Sequence, residues 1–150
     1  MTQPTLAEHY KTHEGRVSDK WSLYMEEYER LFAPYRSKPI HLLEIGVQNG
    51  GSLEIWAKYF TQAQQIVGCD INPACAQLSY TNSKINVVVG DVNQDDTLAQ
   101  VFKHAEQYDI VIDDGSHTVV VKCFWPPNFE YSSSSFLPHS AVGHRYACAA

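Results

Sequence analysis

Two periods alternate along this chain. After Ser18-Asp19, a helix-start signal with an acid suited to the positive end of the dipole, Trp21, Tyr24, Met25, Tyr28, Leu31 and Phe32 recur at spacings of three and four. That spacing predicts one helix face, with Glu26, Glu27 and Glu29 on the wet side and Pro34 as the stop. Short apolar runs then follow at His41–Ile45, Gln65–Ile71, Lys84–Asp91 and Tyr108–Asp114, the length of buried strands. Between them lie helical stretches. Leu53, Trp56, Ala57 and Phe60 mark one inner face, and Leu98, Val101, Phe102 and Ala105 mark another behind Asp95-Asp96-Thr97. Asn72-Pro73 opens a shorter helix, since Asn caps well and proline suits a first helical position. Residues 1–17 are polar and carry no strong period.

Strands alternating with helices predict an α/β fold: a Rossmann-like, doubly wound parallel sheet in the order 3-2-1-4, with right-handed crossovers. The expected organisation is an N-terminal helical segment (1–39), a Rossmann-like half (40–117) and an irregular tail (118–150). The tail carries three charged residues, Lys122, Glu130 and Arg145, with Pro126-Pro127 and four serines from Ser132. No fifth strand–helix unit is legible there, so the sheet is expected to be incomplete at its C-terminal half. The fourth strand is then an exposed edge through which the chain would self-associate.

Composition narrows the field. The net charge of −6 disfavours nucleic acid and anionic membranes as partners. No apolar run approaches the roughly 20 residues that span a bilayer, and Met1-Thr2-Gln3-Pro4 begins no signal peptide, so a cytoplasmic protein is expected. Cys69, Cys75, Cys123 and Cys148 form no C-x-x-C pair, and no zinc site is indicated.

The chemistry concentrates at strand ends. Leu42-Leu43-Glu44-Ile45-Gly46 leads into Gly50-Gly51-Ser52, a strand, a tight turn and a helix start. Gly46 lets a ligand approach the backbone, and Gly50 and Gly51 are expected to leave the helix N-terminus open to one. Dinucleotide folds want G-x-G-x-x-G, yet position 48 is Gln and Glu44 would repel a pyrophosphate. Glu44 suits a cationic ligand, an ammonium or a sulfonium. Asp70, Asp91 and Asp113-Asp114 end the next three strands, so acids from four strands share one sheet edge. Asp70 lies 24 residues beyond Gly46, about where an acid meets a ribose hydroxyl pair. Asp91 can accept from an adenine amine. An acid at any one strand end is an ordinary turn former, but four in register point to a binding crevice.

This order resembles the class I S-adenosylmethionine (SAM) methyltransferases over residues 40 to 117. Val17-Ser18-Asp19-Lys20-Trp21, the Leu42–Val47 run with Gly50–Leu53, and Asp113-Asp114-Gly115-Ser116-His117 together resemble the macrocin-type sugar O-methyltransferases and their cephalosporin-hydroxylase-like relatives. The resemblance implies SAM held by Glu44, Gly46, Gly50, Gly51, Asp70, Ile71, Asp91, Val92 and Asp113. It implies Mg²⁺ on Asp114 and His117 as the base that takes the proton of a small hydroxylated substrate, a sugar or similar molecule. A histidine that merely caps a loop is the alternative for His117. The family continues after D-D-G-S-H with a helix, a glycine turn and a further acidic strand. None of these is legible here, so the expectation is a truncated or frameshifted, poorly active form. The competing readings are a SAM- or nucleoside-binding remnant without catalysis and a dinucleotide-binding oxidoreductase domain.

Overall fold

The computed structural model describes residues 3–18 and 25–115, with the backbone of 145–147. His117, Trp21, Tyr24 and the tail apart from that short stretch lie outside the described residues.

Four parallel strands form the centre: β1 (His41–Ile45), β2 (Gln65–Asp70), β3 (Ile85–Val89) and β4 (Ile110–Asp113). A fifth, β5 (Arg145–Ala147), completes the order β3-β2-β1-β4-β5. The parallel order 3-2-1-4 is the one read from the sequence. β1 pairs with β2 from His41↔Gln65 to Ile45↔Cys69 and with β4 from Leu42↔Ile110 to Ile45↔Asp113. β5 corrects one expectation. It runs antiparallel to β4, with Ile112 opposite Tyr146, so β4 is not a bare edge. Arg145–Ala147 carries no alternation long enough to read as a strand; an edge strand of three residues leaves no period to detect.

Helix α3 (Gly51–Tyr59) follows β1 and α4 (Asp95–Phe102) follows β3. The main core lies on the α3 side. Trp56 is fully buried and meets the rings of Tyr10, Tyr28 and Phe32 edge-on, with centroids 5.7 to 6.3 Å away. Tyr28, Phe32 and Met25 come from α2 (Met25–Phe32), and Leu6 from α1 (Leu6–Lys11). These residues belong to the same core cluster as Leu42, Ile66 and Ile110 of the sheet, so the N-terminal helices are packed onto it. A smaller cluster of Leu43, Val67, Val88 and Val101 lies under α4.

Three details differ from the pattern reading. α1 was not expected, although Thr5 and Glu8 form a capping box that Thr5-Leu6-Ala7-Glu8 spells out. Glu29 is not on a wet face: its Oε2 accepts from the Leu6 amide at 2.6 Å and its Oε1 from the Tyr59 hydroxyl at 3.0 Å, which ties α1 to α3. Phe102 also stays exposed, resting against Tyr108, because α4 turns Thr97 and Val101 inward instead.

The turns that end β1 and β4 meet closely. Gly46 has φ +83°, and a Cβ there would lie 2.6 Å from the Asp114 carbonyl oxygen. Only glycine takes that conformation at that distance.

Trp56→Ala should therefore lower unfolding free energy by about 3–5 kcal/mol in urea titration, because a ring cage loses its centre. Gly46→Ala should cost at least about 1–2 kcal/mol from the left-handed backbone alone, with more from the Asp114 clash, in the same assay.

Candidate functional site

The carboxyl ends of the four parallel strands surround one cavity of about 230 Å³. β1 contributes Ile45 and the following Gly46 and Gln48. β2 brings Cys69 and Asp70 with Ile71, and the stretch after β3 brings Gly90, Asp91, Val92 and Asn93. β4 brings Asp113, followed by Asp114 and Gly115. Seven of the residues singled out from the sequence thus share one wall: Gly46, Asp70, Ile71, Asp91, Val92, Asp113 and Asp114. A parallel sheet puts successive strand ends on one edge, which is why residues up to 68 positions apart converge.

Each acid is set by its own turn. Asp70 Oδ2 accepts from the amides of Val47 and Gln48 at 2.8 and 2.9 Å, and its Oδ1 accepts from the Asn72 amide at 2.9 Å. Asp91 Oδ1 accepts from the Asn93 amide at 2.9 Å and from Asn93 Nδ2 at 3.0 Å, bonds that hold its carboxyl below the usual range. Asp113 Oδ1 accepts from the Gly115 amide at 3.1 Å. Ile71 is 70% exposed, an apolar surface at the rim beside these charges. Burial pushes the Cys69 thiol up to about 11, with Asp70 and Asp91 adding to it, so this cysteine is a neutral wall and not a nucleophile.

Three expected residues sit elsewhere. Glu44 does not line the cavity. It is fully buried beneath the turn, where its Oε2 accepts from the Ser52 hydroxyl at 2.5 Å. It therefore braces the start of α3 against β1. Gly50 and Gly51 do not leave that helix end open. A Cβ on Gly50 would meet the Tyr80 hydroxyl, which donates to the Gly50 carbonyl at 2.9 Å. A Cβ on Gly51 would meet the Arg16 and Val17 carbonyl oxygens. Both glycines serve close approach by the chain itself. His117 lies outside the described residues.

The sequence reading gave no site role to Gln48, to Asn93 or to the segment before the sheet, although Val17-Ser18 carried part of the resemblance. Val17 and Ser18 join Gly46, Gln48, Asn49, Ser52 and Asp114 around a smaller space of about 20 Å³ beside the main cavity. Arg16 anchors that segment. Its amide donates to Glu54 Oε2 at 3.1 Å, its Nη2 donates to the Ser79 carbonyl at 3.2 Å, and its guanidinium lies 5.5 Å from the centre of the Tyr80 ring. No periodicity marks such a strap, whose fixing partners lie far along the chain.

Several observations fit a nucleoside with a charged tail. The Asn93 Oδ1 is buried and finds no partner among the described residues, so an acceptor is available beside Asp91. Gly46 lines the cavity with bare backbone, and the Cβ it lacks would run into the Asp114–Gly115 backbone. For a divalent ion the fit is leaner. Among the described residues no three His, Cys, Asp or Glu side chains come together to hold a metal. Asp113 and Asp114 stand together at the wall, and one or two carboxylates suit Mg²⁺, which keeps several of its waters.

No protein-family model matches this chain. Individual relatives do. It is 35% identical over 109 residues to 8-demethyl-8-alpha-L-rhamnosyl tetracenomycin-C 2'-O-methyltransferase of Streptomyces olivaceus, matching 67% of this chain and 28% of that protein. It is 34% identical over 111 residues to demethylmacrocin O-methyltransferase of Streptomyces fradiae, covering 67% and 27% respectively. Mycinamicin VI 2''-O-methyltransferase of Micromonospora griseorubida is 35% identical over 131 residues, 82% of this chain and 30% of that one. The solved structure of MycE methyltransferase from the mycinamycin biosynthetic pathway, in complex with Mg and SAH, superposes with a TM-score of 0.60 at 32% identity. That superposition covers 77% of this chain and 33% of the other. The chain spans about three tenths of the length of the curated relatives it matches. Over that span it is related to the macrocin-type sugar O-methyltransferases, and its sheet has the α/β architecture of the class I SAM-dependent methyltransferases.

Proposed function

We propose that this chain binds SAM in the strand-end cavity and serves an O-methyl transfer to a hydroxyl of a sugar or a similar small molecule. The observation that carries this reading is the single cavity into which Gly46, Asp70, Asp91 and Asp113 all converge. The relatives named above supply the reaction class, and a MycE structure that holds Mg, SAH and mycinamycin VI supplies the substrate class.

The residues take distinct roles. Gly46 lies under the methionine part of the ligand, at a turn that its missing side chain lets close against Asp114. Asp70 accepts from one ribose hydroxyl. Asp91 and Val92 face the adenine, with the Asn93 Oδ1 as an additional acceptor for its amine. Ile71 covers an apolar face of the base. Asp113 closes the floor beside the sulfonium. Attack of the acceptor oxygen on the methyl carbon forms the O–C bond as the S–C bond breaks, and SAH leaves. His117 takes the hydroxyl proton. Mg²⁺ held at Asp114 would lower the pKa of that hydroxyl.

A second reading, cofactor binding without turnover, is favoured because among the described residues no three metal-ligating side chains come together beside Asp114. A dinucleotide is disfavoured by Gln48, which fills the position where a pyrophosphate needs bare backbone.

Calorimetry with SAH should show binding that Asp70→Ala weakens by about 1.5–3 kcal/mol, since a charge-assisted acceptor is lost. An unchanged dissociation constant would remove Asp70 from the ribose. NAD binding more tightly than SAH would restore the oxidoreductase reading.

Methyl transfer from radiolabelled SAM to sugar acceptors should stop in excess EDTA and return with Mg²⁺, and His117→Ala should lower kcat far more than cofactor affinity. SAH binding with no transfer under any metal would favour the non-catalytic reading.

A further inference from the structure

The turn after β1 contains a residue in a conformation it does not favour. Gln48 has φ +45°, in the left-handed region where glycine is at ease and other residues are strained. Several contacts hold it there. Its amide donates to Asp70 Oδ2 at 2.9 Å, and the Val47 amide donates to the same oxygen at 2.8 Å. Its carbonyl accepts from the Cys75 thiol at 3.3 Å. The turn is closed by the Gly50 amide, which donates to the Val47 carbonyl at 2.7 Å and makes no bond to Asp70. On its other side, Asp70 Oδ1 accepts from the Asn72 amide and so fixes the start of the turn after β2. One carboxylate therefore ties together the turns that follow two neighbouring strands, and Gln48 is the strained link.

We infer that Asp70 is a positioning residue for the β1–α3 turn: it holds Gln48 left-handed and so preforms the cavity floor before a cofactor arrives. The role follows from which bonds stand in the ligand-free chain. A carboxylate offers about four lone-pair sites, and three backbone amides here take three of them. The Cys75 thiol also lies against this carboxylate, so what is left for a ligand is at most one ribose hydroxyl. Asp70 thus acts twice on affinity, once by direct contact and once through the turn. Where affinity is concerned, this inference rests on the SAM reading; where the turn is concerned, it stands on the ligand-free chain.

A glycine at position 48 adopts φ > 0 without strain, so Gln48→Gly should make the turn less dependent on Asp70. Four proteins decide the matter: the native chain, D70A, Q48G and D70A/Q48G, with D70N replacing D70A if the latter fails to fold. Circular dichroism establishes that each is folded. Hydrogen exchange of the Gly50 amide is read without ligand. It should quicken at least tenfold in D70A and return towards the native rate in D70A/Q48G. SAH affinity should fall by roughly tenfold less on D70A substitution in the Q48G background than in the native one, the coupling expected of groups in one network. Unchanged Gly50 exchange in D70A, or the same loss of affinity in both backgrounds, would overturn the positioning role. If the native chain binds no SAH, the cofactor reading fails by itself and Gly50 exchange alone decides this inference.

Discussion

The site depends on a single rung at the end of β1. There the Gly46 amide donates to the Cys69 carbonyl of β2 at 2.8 Å, while the Ile45 carbonyl accepts from the Asp114 amide at 2.8 Å. Those two bonds fix the ends of β2 and β4 to either side of one residue. The distance between the flanking turns is then set by what residue 46 carries, and it carries nothing. Backbone bonds buried between strands are costly to leave unmade, so the rung holds its geometry against small changes in side chains.

Polar groups brace this arrangement from beneath. Glu44 and Ser52 join β1 to α3 inside the core, and Glu29 joins α1 to α3 through Leu6 and Tyr59. Neither carboxylate touches the cavity wall. Their effect on function is mechanical: they fix the angle at which α3 leaves the β1 turn, and with it the position of Gln48. The arrangement has a division of labour, with support acids placed inside the core and wall acids placed at strand ends.

The parallel order was legible because the physical signal is local. Five or six apolar residues bounded by turns read as a buried strand whatever lies elsewhere, and the crossover rule orders them. The strand-end acids were legible for the same reason, since position in a strand fixes which edge a residue reaches. Glu44 shows where that logic runs out. It stands one residue before the strand's end, and a step of one residue along a strand turns a side chain to the other face. From sequence the acid looked like a ligand contact; in the fold its face is the one that α3 covers. Gly50 and Gly51 were recognised as open backbone, but what fills the opening is the chain's own Tyr80, Arg16 and Val17, and long-range packing partners leave no local trace. β5 is too short for any period, and the capping box at Thr5 was present in the sequence but passed over in a polar stretch.

The β1–β4 pairing has a kinetic side. His41 and Asp109 are joined by a bond from the His41 amide to the Asp109 carboxylate across 68 residues of sequence, while β1 meets β2 after only a short crossover. Loop closure over the longer span costs more entropy, and non-local pairs form late in folding. The three-stranded β3-β2-β1 portion can therefore gather around α3 before β4 arrives. Asp113 and Asp114 come with the last of the four parallel strands to close, and the crevice exists as a crevice only after that event. Ile110 and Ile112 arrive with the same strand, so closing the crevice also completes the core cluster that holds Trp56.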